Sequence, residues 1–256
     1  MKIKYELISA SGNPTAIIYG RFSPAEKQKI NKLIFENNAL VEQIGYLFYE
    51  NENKMIKFEM MGNEFSGNGC RAAAFSLLKM KPGIIKFKTS GLNKIINASI
   101  GNDLTSNISL PCLFDKNKII CNRFGFAIKM FGSSLIVIED NKNDKIVQEI
   151  VNELSKKSRA IGIMFIEICS RRVVKLNPFF YVKETNTLIN ETACGSGSIA
   201  CAIYQNLLNP EPSNILEVLQ PSGESIFVKT GCVKKAIREI EISGPTKLLG
   251  NYEIFF

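Results

Sequence analysis

The sequence predicts an α/β (α+β) protein of two pseudo-symmetric lobes, each a curled, mostly antiparallel sheet around a central helix. Three observations carry that expectation. Two phrases, Ser66-Gly67-Asn68-Gly69 and Cys194-Gly195-Ser196-Gly197, stand 128 positions apart in a chain of 256 residues. Each opens an apolar helix-like run, Cys70 to Leu78 after the first and Ser198 to Tyr204 after the second. Short strand-like runs surround both, so each half reads as strands, one peripheral helix, then a Gly-marked helix that is apolar on almost every side. Such a helix has no face for water and belongs inside a sheet that wraps it.

In the first half the strand-like runs are Ala16 to Tyr19, Ile44 to Tyr49, Met55 to Met60, Ile84 to Lys88 and Ile95 to Ile100. They are β-branched or alternating and end at Gly, Asn or Lys turns. Ser23-Pro24-Ala25-Glu26 supplies an N-cap, a first-turn proline and an acidic turn, which predicts a helix through Lys27 to Asn37. The polar, proline-containing stretch Leu110 to Lys118 is read as the crossover between lobes. That gives a first lobe over 1–112, with the closing strand 245–256 packing back on it, and a second over 113–244. The second half repeats the texture in Leu135 to Glu139, Gly162 to Ile168, Val173 to Lys175 with Phe179 to Val182, Ile226 to Lys229 and Ile237 to Ile242. Its peripheral helix is Asp144 to Ser155, where Ile146, Val147, Ile150, Val151 and Leu154 form an apolar stripe. Identity between the halves is weak beyond the Gly turns, so the duplication is one of architecture.

Composition narrows the function. The chain is 45% hydrophobic and 22% charged, enough for a packed core. Its net charge of +8 is scattered in pairs such as Lys156-Lys157, Arg171-Arg172 and Lys234-Lys235, without the stripe a nucleic acid requires. A basic surface does attract small carboxylates, weakly at physiological salt. The absence of histidine removes Ser-His-Asp and Cys-His triads and most zinc sites, so no metal is expected. Seven cysteines with no C-x-x-C pair fit a reducing cytoplasm better than a disulfide framework. The N-terminal residues lack the apolar run of a signal peptide, and no segment reaches the ~18 apolar residues of a membrane span.

A hydroxyl or thiol heading a Gly-rich turn at a helix start is a small anion trap. Its N–H groups and the positive helix end favour a carboxylate and lower the pKa of a nearby thiol. Two such traps, one per half, suggest lobes closing on one small anionic substrate. Racemisation at an α-carbon needs that arrangement: one group removes the proton, another delivers one to the opposite face, and many donors grip the carboxylate.

Glu64-Phe65-Ser66-Gly67-Asn68-Gly69-Cys70-Arg71 resembles the first motif of diaminopimelate epimerase and its relatives, and Glu191-Thr192-Ala193-Cys194-Gly195-Ser196-Gly197 the second. The resemblance spans the chain: Ser11-Gly12-Asn13 is similar to the family's early Gly-Asn, and Asn251 to Phe256 to its closing strand. It implies a cofactor-independent racemase or epimerase in which two cysteines exchange the roles of thiolate and thiol. Carried over by residue, Cys194 is one acid/base. The N–H groups of Gly67, Asn68, Gly195 and Ser196 hold the α-carboxylate, with Gly69 in the same turn, and Asn13 touches the substrate. Ser66 departs from the pattern, standing where the first cysteine belongs. Either serine replaces a native cysteine to trap substrate, or another partner serves. For that role Glu42 is the candidate, since Val41-Glu42-Gln43-Ile44-Gly45-Tyr46 resembles the stretch that carries a glutamate in PhzF-type isomerases and histidine racemases. The opposing reading of Glu42 is an exposed strand-edge carboxylate, and Cys70 reads as packing.

The arginine and Asn-Pro-His segment with which diaminopimelate epimerases read the distal end of their substrate are missing. Gly132-Ser133-Ser134 and Lys183-Glu184-Thr185 stand there instead. The compact Gly62-Asn63-Glu64-Phe65 lead-in resembles histidine racemases of staphylopine-type metallophore synthesis. The expectation is therefore a pyridoxal-independent histidine racemase with an amino acid as its partner, no nucleic acid or membrane, and a homodimer left open. The alternatives are a diaminopimelate epimerase, a PhzF-like isomerase using Glu42, and a catalytically silent amino-acid binding protein.

Overall fold

A computed structural model describes residues 2–50, 55–114, 119–130, 132–211, 213–233 and 236–255. The first half runs β1 (Lys2–Ala10), β2 (Asn13–Tyr19), α1 (Pro24–Asn37), β3 (Gln43–Glu50), β4 (Met55–Met60), α2 (Gly67–Leu77), β5 (Gly83–Thr89), β6 (Leu92–Ile100) and β7 (Thr105–Phe114). After β8 (Ile119–Asn122) the second half runs β9 (Gly125–Met130), β10 (Ser133–Ile138), α3 (Asp144–Leu154), β11 (Ala160–Ser170), β12 (Val173–Val182), β13 (Thr187–Asn190), α4 (Gly195–Leu208), β14 (Ser213–Leu219), β15 (Ser225–Val233) and β16 (Ala236–Phe255).

The order of pairing repeats. In the first half β2 and β3 are parallel across α1, β4 and β5 are parallel across α2, and the other neighbours are antiparallel. In the second half β10 and β11 are parallel across α3, and β12 and β14 across α4. A parallel pair needs a crossover, and each helix supplies one. The last strand belongs to both halves. Residues 236–245 of β16 lie between β7 and β15, while residues 246–255 pair with β1. β1 through β7 and β16 thereby close into a ring of eight strands.

The two central helices sit where their all-round apolarity demands. Residues 67–76 of α2 and 195–206 of α4 are buried, each inside a curled sheet. The peripheral helices lie on the outside. α1 begins with a capping box: Ser23 Oγ accepts from the Glu26 N–H, and Glu26 reaches back to the Ser23 N–H. It buries Ile30 and Ile34 against Ile18, Ile44 and Tyr46, contacts worth roughly 1.5–3 kcal/mol for each aliphatic side chain. α3, capped by Asn143, packs Val147 and Ile150 against Ile136, Ile163 and Phe165.

The stretch read as a crossover is corrected in part. Residues 110–114 continue β7, and 115–118 lie outside the described residues. Proline is tolerated there because β6 pairs with β7 only as far as Ser109, and the β16 register shifts opposite Pro111. Likewise the two runs from Val173 and Phe179 form one strand through Pro178.

Candidate active site

Ser66 and Cys194 are the N-caps of α2 and α4, both with extended backbone (φ −124° and −133°). Ser66 Oγ accepts from the Gly69 N–H at 2.9 Å, and Cys194 Sγ from the Gly197 N–H at 3.3 Å. The candidate acid/base atom thus also caps its own helix, consuming the third N–H of the turn. The N–H groups of Gly67, Asn68, Gly195 and Ser196 begin the helices without an intrahelical acceptor, ready for an anion.

These two helix starts meet head-on. A Cβ on Gly195 would lie 2.9 Å from both N and Oδ1 of Asn68. One on Gly67 would lie 2.5 Å from Ile242 Cδ1 and 3.3 Å from Gly195 Cα. Only glycine permits that approach. Asn68 fixes it, donating from Nδ2 to the Ala193 carbonyl at 2.9 Å, while Arg71 Nη2 donates to Asn68 Oδ1 and Ser11 Oγ, each at 2.9 Å. Arg71 is fully buried, and burial pushes its guanidinium down to about 9. The Cys194 backbone is held from behind: its N–H donates to Gln220 Oε1 at 2.9 Å, and Gln220 Nε2 donates to Ser198 Oγ at 3.1 Å.

A line of side chains joins one cap to the other. Ser66 Oγ donates to Gln43 Oε1 at 2.7 Å, and Gln43 Nε2 donates to Glu191 Oε1 at 2.6 Å. The charge of Glu191 in turn acts on the Cys194 thiol. Sequence reasoning missed Gln43, Glu191 and Gln220, although the first two lie inside phrases that it singled out. The two ends differ chemically. The Ser66 proton points at an amide oxygen, which is no base, whereas the Cys194 thiol lies within reach of the charge of a carboxyl, Glu191.

Burial governs the charges here. It pushes the Cys194 thiol well above its usual range, and the negative charge of Glu191 adds to that. It also pushes Glu191 up to about 8, where Glu42 and Glu64 reinforce the rise and Cys194 and Gln43 oppose it. Glu64 is raised to about 7 by burial, against which its own and the Gly62 N–H groups act.

Glu42 is no exposed edge residue. It is half-buried and receives Asn13 Nδ2 at 2.8 Å and the Thr192 N–H at 3.1 Å. Asn13 is fully buried and committed to that carboxylate, while its Oδ1 accepts from Thr15 Oγ1 at 3.2 Å. Burial raises Glu42 too, offset by the bonds from Thr192 and Asn13. Ser196 Oγ lies 3.5 Å from Cys194 Sγ. Cys70 points into the core, donates to Thr89 Oγ1 at 3.3 Å, and has its thiol pushed up to about 12 by burial. Among the described residues, no group of three or more His, Cys, Asp and Glu side chains could hold a metal ion, and no helix is long and apolar enough to cross a membrane.

A fold built twice around two central helices, with hydroxyl and thiol caps on helix starts that meet, is that of an isomerase of the racemase and epimerase class. The chain matches the histidine racemase CntK N-terminal domain over residues 2–255 and belongs to that family. A histidine racemase of Fusobacterium nucleatum is 26% identical, over 97% of this chain and 94% of its own. A histidine racemase of Staphylococcus aureus is 21% identical, over 90% and 89%. In structure, a hydroxyproline epimerase from Agrobacterium vitis with bound trans-4-OH-L-proline shares the fold with a TM-score of 0.66 at 10% identity, over 99% of this chain and 91% of that one.

Proposed function

We propose that the protein interconverts L- and D-histidine without pyridoxal phosphate, in the cleft between the starts of α2 and α4. The observation that carries this is the head-on approach of the two caps, Ser66 and Cys194, on a chain of the histidine racemase family. The α-carboxylate accepts N–H bonds from Gly67, Asn68, Gly195 and Ser196, and the two helix ends stabilise the charge that develops when the α-proton leaves. Cys194 removes that proton as a thiolate after its own proton passes to Glu191. The Ser66 hydroxyl delivers a proton to the opposite face. A carbanion is basic enough to take a proton from a hydroxyl, and the Gly69 N–H steadies the oxygen left behind. Solvent exchange then resets both groups. Glu42, held by Asn13 and Thr192, orients the substrate ammonium.

The test is α-proton exchange in D2O followed by NMR, with optical rotation in parallel, on L-histidine and meso-diaminopimelate in reductant without added pyridoxal phosphate. Exchange and inversion of histidine alone support the reading. Silence with histidine overturns it. With this activity we place the protein in the cytoplasm, where its thiols stay reduced, and divide it into lobes of 1–112 with 245–256 and of 113–244. The pairing of β16 with β1 supports that division. A homodimer is the assembly to look for by sedimentation.

A further inference from the structure

One buried carboxyl is unused by that chemistry. Glu64, two residues before Ser66, is 6% exposed, and its Oε2 has no hydrogen-bond partner among the described residues. Glu191, three residues before Cys194, is 3% exposed and also has an unpartnered Oε2. The two stand on the lead-ins to the two helices, and the charge of Glu64 acts on Glu191. The Glu64 backbone is held and its carboxyl lies against Gly62. Its carbonyl accepts from Ser90 Oγ at 2.6 Å, and a Cβ on Gly62 would meet both the Val182 side chain and, at 2.7 Å, the Glu64 Oε2. The carboxyl is thus wedged beside the Val182 end of β12, with Glu184 the other charge acting on it.

A buried carboxylate is retained only with a partner. The charges that act on this pair, Glu184 on Glu64 and Glu42 and Glu64 on Glu191, are negative. Arg71 is already bound to Asn68 and Ser11. The N–H groups of Glu64 and Gly62 act on the Glu64 carboxyl, and its open Oε2 is left for a cation or N–H donor that arrives with the substrate. With the α-carboxylate on the helix starts and the α-carbon between the caps, the substrate side chain is the group left to meet the lead-in to α2.

We propose that Glu64 is the specificity-determining residue of this site, its free Oε2 accepting the ring N–H of an imidazole side chain. This rests on histidine being the substrate. Burial, which raises Glu64 to about 7, brings its carboxyl near the ~6.5 of imidazole. The two groups can therefore share a proton at neutral pH.

The test compares wild type, Glu64→Gln and Glu64→Asp in α-proton exchange on L-histidine and L-phenylalanine, with a thermal melt of each protein. Glu64→Gln is expected to raise KM for histidine by about 10-fold or more, the scale of a lost charge-assisted bond. It should change kcat little and narrow the preference for histidine over phenylalanine. Glu64→Asp, which keeps the charge, is expected to fall between, and it carries the test if the glutamine variant does not fold. Unchanged KM and preference in the folded variants, or a fall in kcat alone, overturns the assignment while wild-type activity upholds histidine as substrate. A wild type silent on histidine overturns both.

Discussion

Ser66 and Cys194 hold equivalent places in a duplicated fold, but their protons differ. The serine hydrogen is committed to the Gln43 amide oxygen, whereas the cysteine thiol lies under the charge of Glu191. On the proposed mechanism, Cys194 removes the proton and Ser66 delivers one in one direction, and the roles exchange in the reverse direction. Ser66→Ala should keep α-proton exchange with retention of configuration while inversion falls by about 10²–10⁴-fold, the usual worth of one general acid. Ser66→Cys should invert faster than wild type, and Cys194→Ala should abolish exchange. NMR exchange beside polarimetry separates these outcomes, and inversion by Ser66→Ala at the wild-type rate would remove the hydroxyl from the mechanism. The raised carboxyls also set a pH dependence of stability. Glu64 rises from 4.5 to about 7, so between those values the folded protein holds a proton that the unfolded chain has lost. Its contribution is complete below 4.5 and disappears as pH climbs through 7. Glu64→Gln removes that loss, at most about 3 kcal/mol at 1.36 kcal/mol per unit. It should melt several degrees above wild type at pH 8 and level with it at pH 4.5. The sequence made Ser66, Cys194 and Glu42 visible because each stands in a recognisable phrase. Gln43 and Glu191 stand in the same phrases but are common polar residues, and only the joining of segments 148 positions apart gives them work.

At the scale of the element, the site depends on two helix ends that approach closer than side chains allow. Gly195→Ala puts a methyl 2.9 Å from the Asn68 N and Oδ1, against backbone that cannot yield cheaply. The expected result is a shift of the α4 start, a loss of about 1–3 kcal/mol from overpacking, and at least ~10²-fold lower kcat/KM from misplaced groups. A melt and an exchange assay check both. A variant with wild-type kcat/KM would show that the close approach is dispensable. These helices were legible because apolarity on every side has few structural solutions, and α1 because its cap and acidic turn are local chemistry. The misses have physical causes of a different kind. β1, β7, β8, β9, β13 and β14 were not read as strands. β8, β9, β13 and β14 are short or polar segments in local hairpins, while β1 and β7 take a partner distant in sequence, β16. The pairing of β1 with the last ten residues of β16 is one instance. Pro111 looked like a breaker and is accommodated where β6 no longer pairs and β16 bulges.

The whole molecule presents a problem of access. Ser66 is 5% exposed and Cys194 2%, so histidine cannot reach them in this arrangement. Polar bonds join the halves beside the caps: Gln43 on Glu191, Asn68 on the Ala193 carbonyl, the Thr192 N–H on Glu42, and Ser222 Oγ on the Ser11 carbonyl. Polar contacts of this kind exchange with water at small net cost. The apolar side chains of α2 and α4 belong to one continuous core that runs through β7 and β16, so any parting of the halves is confined to the helix starts. β16 runs through both and limits the parting to a hinge. A carboxylate bridging the two helix starts adds bonds that exist only in the closed arrangement, so it selects that arrangement. L-Histidine at 100 times its Kd should add about 2.7 kcal/mol, a rise in Tm of roughly 5–10 °C for a chain of this size. It should also shrink the radius of gyration measured by small-angle scattering. Asn68→Ala cuts one closing bond and frees Arg71, so it should expand the ligand-free protein and weaken the response to histidine. Scattering that is unchanged by saturating histidine, in a protein whose Tm rises, would mean that substrate enters through side-chain motion alone.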